Sequence, residues 1–199
     1  MAQTLLHDSP AAPAASSPPT GSGLTVPRHH TRRGIDPLDE VVWQKRRTVI
    51  ANPDGSVVFK MEEVEVPQAW SQLATDIVVS KYFRKAGLKT SPGHETSVRQ
   101  AVHRIAHTIR VTGESQGGYF ATPEDAEAFE AELAYMLVHQ IGAFNSPVWF
   151  NCGLWHEYGI EGSGGNHHWD ADANAVLTTT DSYSHPQVSA CFIQSVDDD

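Results

Sequence analysis

Apolar residues recur at helical spacing in three stretches of the chain and cluster as β-branched residues around a turn in one. Between Pro67 and Gly87 the set Trp70, Leu73, Ile77, Val78 and Phe83 follows a helical period, which predicts a helix over 68–86 ending at Gly87. Val98, Val102, Ile105 and Ile109 fall at intervals of four, three and four and predict a second helix over 94–112, stopped by Gly113. The third helix, 123–141, carries its own start signal. Thr122 caps it, Pro123 fits its first position, and Glu124 and Asp125 face the positive end of the helix dipole. Its expected buried face is Phe129, Leu133, Met136 or Leu137, and Ile141. From Arg47 to Val66, β-branched residues flank Asn52-Pro53-Asp54-Gly55, where Pro at the second and Gly at the fourth position fit a type I turn. This predicts a hairpin with strands near 47–51 and 56–60, preceded by a short helix around Pro37, Asp39 and Glu40. After Gly142 the pattern becomes a long loop region, rich in aromatics to Trp155 and in glycine and histidine over 159–182, before Val188–Val196 reads as a strand. Among these elements that strand finds no good pairing partner, so the chain is expected to be the front of something longer.

Composition separates the beginning from the rest. Five of the twelve prolines lie in residues 1–27 among Ala, Ser, Thr and Gly, so residues 1–33 are expected to be a disordered leader. Residues 34–142 then form a helical domain with its hairpin, and 143–199 a loop, an insertion and the last strand. With 199 residues, 40% of them hydrophobic, the chain is long enough for one real core, which excludes wholesale disorder. The net charge of −10 and the absence of a long Lys/Arg run argue against a nucleic-acid polymer as partner. No apolar run reaches the ~18 residues of a membrane span and residues 1–27 hold no signal-peptide core, so no membrane association and a cytoplasmic location are expected.

Three groups of residues could carry chemistry. Cys191 sits in an apolar strand, where a thiol is most often a small buried hydrophobe; the small and polar neighbours Ser189 and Gln187 leave a redox role open. In Asn145-Ser146-Pro147 the proline disfavours helical geometry at Ser146, so an extended turn is expected there. Its hydroxyl and amides suit an anion, although on these grounds alone an ordinary loop that packs Trp149 and Phe150 into the core is the favoured reading. Cys152, His156, His167, His168, Asp170 and Asp172 are of metal-binding type, but within this stretch no CxxC or HxxxH spacing supports a site and no metal is expected. A rival reading keeps a metal-stabilised loop of Cys152, His156, His167 and Cys191 in a stand-alone helical binding module.

Two longer motifs point further. Phe144-Asn145-Ser146-Pro147-Val148-Trp149-Phe150-Asn151-Cys152-Gly153-Leu154 and His185-Pro186-Gln187-Val188-Ser189-Ala190-Cys191-Phe192-Ile193-Gln194-Ser195-Val196 resemble the amino-terminal region of the class II, adenosylcobalamin-dependent ribonucleotide reductases. Asp39-Glu40-Val41-Val42-Trp43, Ala74-Thr75-Asp76-Ile77-Val78 with Lys81-Tyr82-Phe83, and Glu132-Leu133-Ala134-Tyr135 are similar too, so the resemblance runs from about Gly34 to the end.

The resemblance implies a mostly α amino-terminal domain leading into the first strand of a ten-stranded α/β barrel, with 188–196 as that strand. The implied chemistry is reduction of ribonucleoside diphosphates. Homolysis of the cofactor's carbon–cobalt bond yields a thiyl radical that removes the substrate's 3′ hydrogen, and a cysteine pair then reduces the 2′ carbon. Cys191 matches the first of that pair, Ser146 the hydroxyl that contacts substrate phosphate, and Ala190 with Cys191 lies along the ribose. The second reducing cysteine, the radical cysteine and most of the adenosylcobalamin surface belong to family regions downstream of this chain, which alone is expected to be inactive. Nucleotide effectors, a thioredoxin-like reductant and a homodimer of the complete enzyme are implied partners. Cys152 matches no reducing position, and 159–182 looks like an insertion without a chemical role.

Overall fold

The computed structural model describes residues 23–170 and 173–190. A short 3-10 turn, Pro37–Glu40, leads into β1 (Trp43–Ala51) and β2 (Val57–Pro67). The two strands pair antiparallel with Trp43 opposite Pro67 and Thr48 opposite Met61. The turn between them closes as expected, Gly55 N donating to Asn52 O at 2.9 Å. The hairpin is longer than its β-branched core because Arg46 and Val64, Glu65 and Val66 continue the ladder into the protein. Val64 and Val66 are fully buried there, whereas Val57 and Val58 at the far end stay exposed.

The first expected helix is shorter than its apolar pattern. It consists of α1 (Gln72–Ile77), capped by Ser71, and a π-helical turn, Val78–Tyr82. The chain turns extended at Phe83 because Arg84 N is held by Glu95 Oε2 at 2.7 Å and Arg84 O by Glu95 N at 2.8 Å. The second helix, α2 (Val98–Gln116), starts later than expected, at a capping box of Ser97 and Gln100. It also runs through Gly113. That glycine is a close-approach position, since a Cβ there would meet the Phe120 ring at 2.9 Å.

Helix α3 (Pro123–Val138) starts at Thr122 as its cap signal requires, but its buried face is rotated from the expected one. Ala126, Ala128, Glu132, Ala134, Leu137 and Val138 are buried, while Met136 and Ile141 are exposed. The reason is the segment that composition assigned to a disordered leader. Residues 23–33 lie along α3: Leu24 bridges Phe120, and Val26 N donates to Asp125 Oδ1 at 2.8 Å. The backbone N–H groups of His29, His30 and Thr31 converge on Glu132 Oε1 at 2.9–3.0 Å. A polar side chain thus becomes a buried anchor, which apolar periodicity does not register.

The core lies where β2, the π turn, α2, α3 and the next short helix meet, around Val66, Val79, Val102, Ile105, Leu137 and Trp149. Trp70 Nε1 donates to Val138 O at 2.7 Å and so satisfies one of the last carbonyls of α3. Two short helices follow, α4 (Ser146–Asn151) and α5 (Leu154–Tyr158), so the region after Gly142 is not only loop. Within the glycine- and histidine-rich insertion β3 (His167–Asp170) pairs antiparallel with β4 (Ala175–Thr178), a hairpin the loop reading missed. Residues 188–190 carry no strand pairing, and the rest of the expected barrel strand, with Cys191, lies outside the described residues. Among the described residues the fold is α+β, and no helix is long and apolar enough to cross a membrane.

Candidate functional site around Ser146

Ser146 opens α4 rather than occupying an extended turn. Asn145 takes the extended conformation instead and caps the helix, its Oδ1 accepting from Val148 N at 3.3 Å, while Pro147 sits in the first turn where it needs no donor. The helix is retained despite the Ser-Pro step because its far end is anchored. Arg104 of α2 donates to Trp149 O at 2.7 Å and to Cys152 O at 2.6 Å. Arg104 is fully buried and also pairs with the equally buried Glu95 (2.8 Å) and reaches Tyr82 O at 3.2 Å. Glu95 in turn accepts from Tyr158 OH at 2.9 Å, and burial together with this carboxylate pushes the Tyr158 phenol far above its ordinary value. One guanidinium therefore locks the π turn, α4 and, through Glu95, α5 to α2.

The Ser146 hydroxyl lies 3.1 Å from the Tyr82 hydroxyl, and the Tyr82 ring packs against Trp149 and Phe150 with centroids 5.8 and 5.4 Å away. Tyr82 also lines a cleft of about 440 Å³ with Lys81, Arg84, Lys85, Asn151 and Tyr183. Lys81 and Arg84 bring positive charge to this cleft, which suits a phosphorylated ligand, while the Lys85 ammonium donates to Ser80 O and lies over the Phe59 ring. Burial, and then the charge of Lys81, lowers the Lys85 ammonium below its ordinary value. Arg84 Nη1 donates to Tyr183 OH at 3.2 Å.

The two motifs of the resemblance meet here. Asn151 Nδ2, at the end of α4, donates to Gln187 O at 3.0 Å, which brings the His185–Ala190 segment alongside the helix that Ser146 begins. Ala190 is half-buried three residues further on. Cys152 is 8% exposed, and burial raises its thiol above the ordinary value against a smaller opposing effect of Arg104, so it is a core thiol.

The metal-type residues are regrouped by the fold. His167 pairs with Thr178 and His168 stacks on His185, so neither joins Cys152. His156 instead meets His107 and Glu157, one ligand atom from each lying within 4.8 Å of the others. Burial raises the Glu157 carboxyl, but the His103 hydrogen bond and the charges of His103, His107 and His156 outweigh it and leave it below its ordinary value. His103 is raised in return, first by that hydrogen bond. The sequence signal for this group was the i, i+4 pair His103 and His107 on α2; the signal for the scaffold was Arg104 between the core residues Val102 and Ile105.

A corrinoid does not fit the described residues. Pockets of ~300–1,000 Å³ serve drug-sized ligands and adenosylcobalamin is much larger than a drug-sized molecule, whereas the cleft beside Tyr82 holds about 440 Å³ and that beside His156 about 450 Å³.

Residues 44–140 match the family model of the class II vitamin B12-dependent ribonucleotide reductases. The chain is 47% identical over 165 residues to the vitamin B12-dependent ribonucleotide reductase of Rhodopirellula baltica, covering 83% of this chain and 16% of that protein. It is 42% identical over 208 residues to the enzyme of that name from Agrobacterium fabrum (88% and 16% covered) and 46% over 179 residues to that of Streptomyces coelicolor (89% and 15%). The chain thus spans 15–16% of the length of these relatives. On these matches the chain belongs, as an amino-terminal segment, to the class II, vitamin B12-dependent ribonucleotide reductases.

Proposed function

We propose that this chain supplies the front of an enzyme that reduces ribonucleoside diphosphates to deoxyribonucleoside diphosphates, and that α4 holds the substrate's phosphates. The observation that carries this reading is the Asn151–Gln187 hydrogen bond, which aligns the Ser146 helix with the segment leading to Ala190 and Cys191. Ser146 offers a hydroxyl oriented by Tyr82, and Lys81 and Arg84 line the adjacent cleft with compensating charge. Ala190 lies along the ribose. Cys191 and a second cysteine of the complete enzyme give up two electrons and become a disulfide, and the 2′ hydroxyl leaves as water. Adenosylcobalamin as radical source, nucleotide effectors, a thioredoxin-like reductant and a homodimer belong to the same proposal.

The test is Ser146→Ala in the complete enzyme. A hydrogen bond to a charged group contributes ~1.5–3 kcal/mol, which corresponds to a roughly ten- to hundredfold weaker substrate interaction. The phosphate is remote from the reacting carbons, so the loss should appear in KM with kcat little changed. An unchanged KM would remove Ser146 from the site. Comparing diphosphate and triphosphate substrates in the same assay decides the substrate class.

A further inference from the structure

Five ionisable side chains from three helices meet away from Ser146: His103 and His107 of α2, Glu130 of α3, and His156 and Glu157 of α5. Glu157 Oε1 is 3.7 Å from His156 Nε2 and 4.0 Å from His107 Nε2. His107 Nδ1 is 3.0 Å from Glu130 Oε1. With Nδ1–H donating to that carboxylate, the Nε2 lone pair of His107 is directed toward Glu157. A carboxylate behind a histidine whose other nitrogen faces a second carboxylate and a second histidine is the outer-shell arrangement of a metal-binding imidazole.

We infer that His107, His156 and Glu157 form a binding site for one divalent transition-metal ion of the zinc type, with Glu130 orienting His107. Two imidazoles and one carboxylate are ligands that suit zinc, and a water would complete four-coordination. Zinc bonds of ~2.0–2.1 Å place tetrahedral ligand atoms roughly 3.3 Å apart, so the observed spacings need to contract by less than an ångström on those two edges. His103 keeps the other oxygen of Glu157, its Nε2 lying 3.5 Å from Oε2. Glu130 is balanced on its other oxygen by Arg110, whose Nε lies 2.8 Å from Oε2 and is shared with Glu114, so Glu157 is the carboxylate that would meet the ion. His156 lines an open cleft of about 450 Å³ with Thr108, Trp155 and His185, which gives an ion a way in. An ion here would fasten α5, and with it the start of the segment running to Ala190, onto α2 and α3.

The chain, stripped with a chelator, is titrated with Co²⁺ as a spectroscopic metal and then with Zn²⁺ in competition. One equivalent of Co²⁺ should bind with the visible absorbance of a low-coordinate nitrogen and oxygen site, displaced by Zn²⁺. His107→Ala and Glu157→Gln should each weaken binding at least tenfold, and Glu130→Gln roughly ten- to hundredfold. Cys152→Ser and His167→Ala should bind as the parent does. Zn²⁺ should raise the Tm of the parent chain and not that of His107→Ala, with circular dichroism confirming that the variant folds; Glu130→Gln, nearly isosteric, decides the matter if it does not. Absence of saturable binding, unchanged affinity in the folded ligand variants, or loss of metal in Cys152→Ser or His167→Ala would each overturn the site.

Discussion

Replacing Arg104 by Met removes the charge at the centre of the fold while keeping an apolar stem of similar length. Arg104 and Glu95 are both fully buried, and the guanidinium serves Glu95 Oε1 at 2.8 Å, Cys152 O at 2.6 Å, Trp149 O at 2.7 Å and Tyr82 O at 3.2 Å. Without it Glu95 keeps two donors, Arg84 N and Tyr158 OH, but no compensating charge. Breaking a buried pair from one side costs about 3–5 kcal/mol, chiefly because the other charge is left uncompensated. With a urea m-value of ~2 kcal/mol/M, the midpoint of unfolding should fall by ~1.5–2.5 M at unchanged slope. Tryptophan fluorescence suits the assay, since Trp149 lies on the helix that loses its anchor. Arg104→Lys should fall between parent and Met, because one ammonium cannot serve four divergent acceptors. Arg104→Met combined with Glu95→Gln should be more stable than Arg104→Met alone, because the lone buried charge is gone. A loss under ~1 kcal/mol in Arg104→Met, or a double variant no more stable than the single one, would refute the reasoning.

Burial raises the Glu132 carboxyl, but the Thr31 hydroxyl and the N–H groups of Thr31, His30 and His29 lower it further, to a net value below the ordinary 4.5. The folded state therefore binds fewer protons than the unfolded one in that range, so this stability is present above pH 4.5 and is lost as the pH falls through the lowered folded value. Glu132→Gln should flatten that acid limb and, at pH 7, speed tryptic cleavage after Arg28, Arg32 and Arg33 on the segment it anchors. Gly153→Ala should destabilise the chain by several kcal/mol in urea melts, since φ is +81° and the new Cβ would meet Arg104 O at 2.4 Å; a neutral result would show that α4 and α5 can separate freely from α2. Cys191→Ser in the complete enzyme should bind substrate yet fail in sustained turnover, and near-normal multiple turnover with dithiothreitol would exclude the redox role.

The features legible in the sequence are those encoded within a few consecutive residues. Thr122-Pro123 starts α3, Asn52-Pro53-Asp54-Gly55 closes the hairpin, and residues 44–140 carry the family's pattern. Caps, turns and motifs need no distant partner, so local chemistry determines them. Burial does need one. Glu132 became an anchor because Thr31, 101 positions earlier, places its backbone against it, and this turned the buried face of α3 away from Met136 and Ile141. Arg104 looked like one more helix residue until the fold set carbonyls 45 and 48 positions away around it. Ser146 entered a helix against its own preceding-proline preference because that helix is held at its far end. The histidines follow the same logic: spacing within 152–172 offered no site, whereas the packing of α2 against α5 set His107 beside His156 and Glu157. Sequence thus determined the local geometry and the family, and only tertiary structure decided which polar side chains would share an enclosed space, since an isolated buried charge is costly and a partnered one is tolerated.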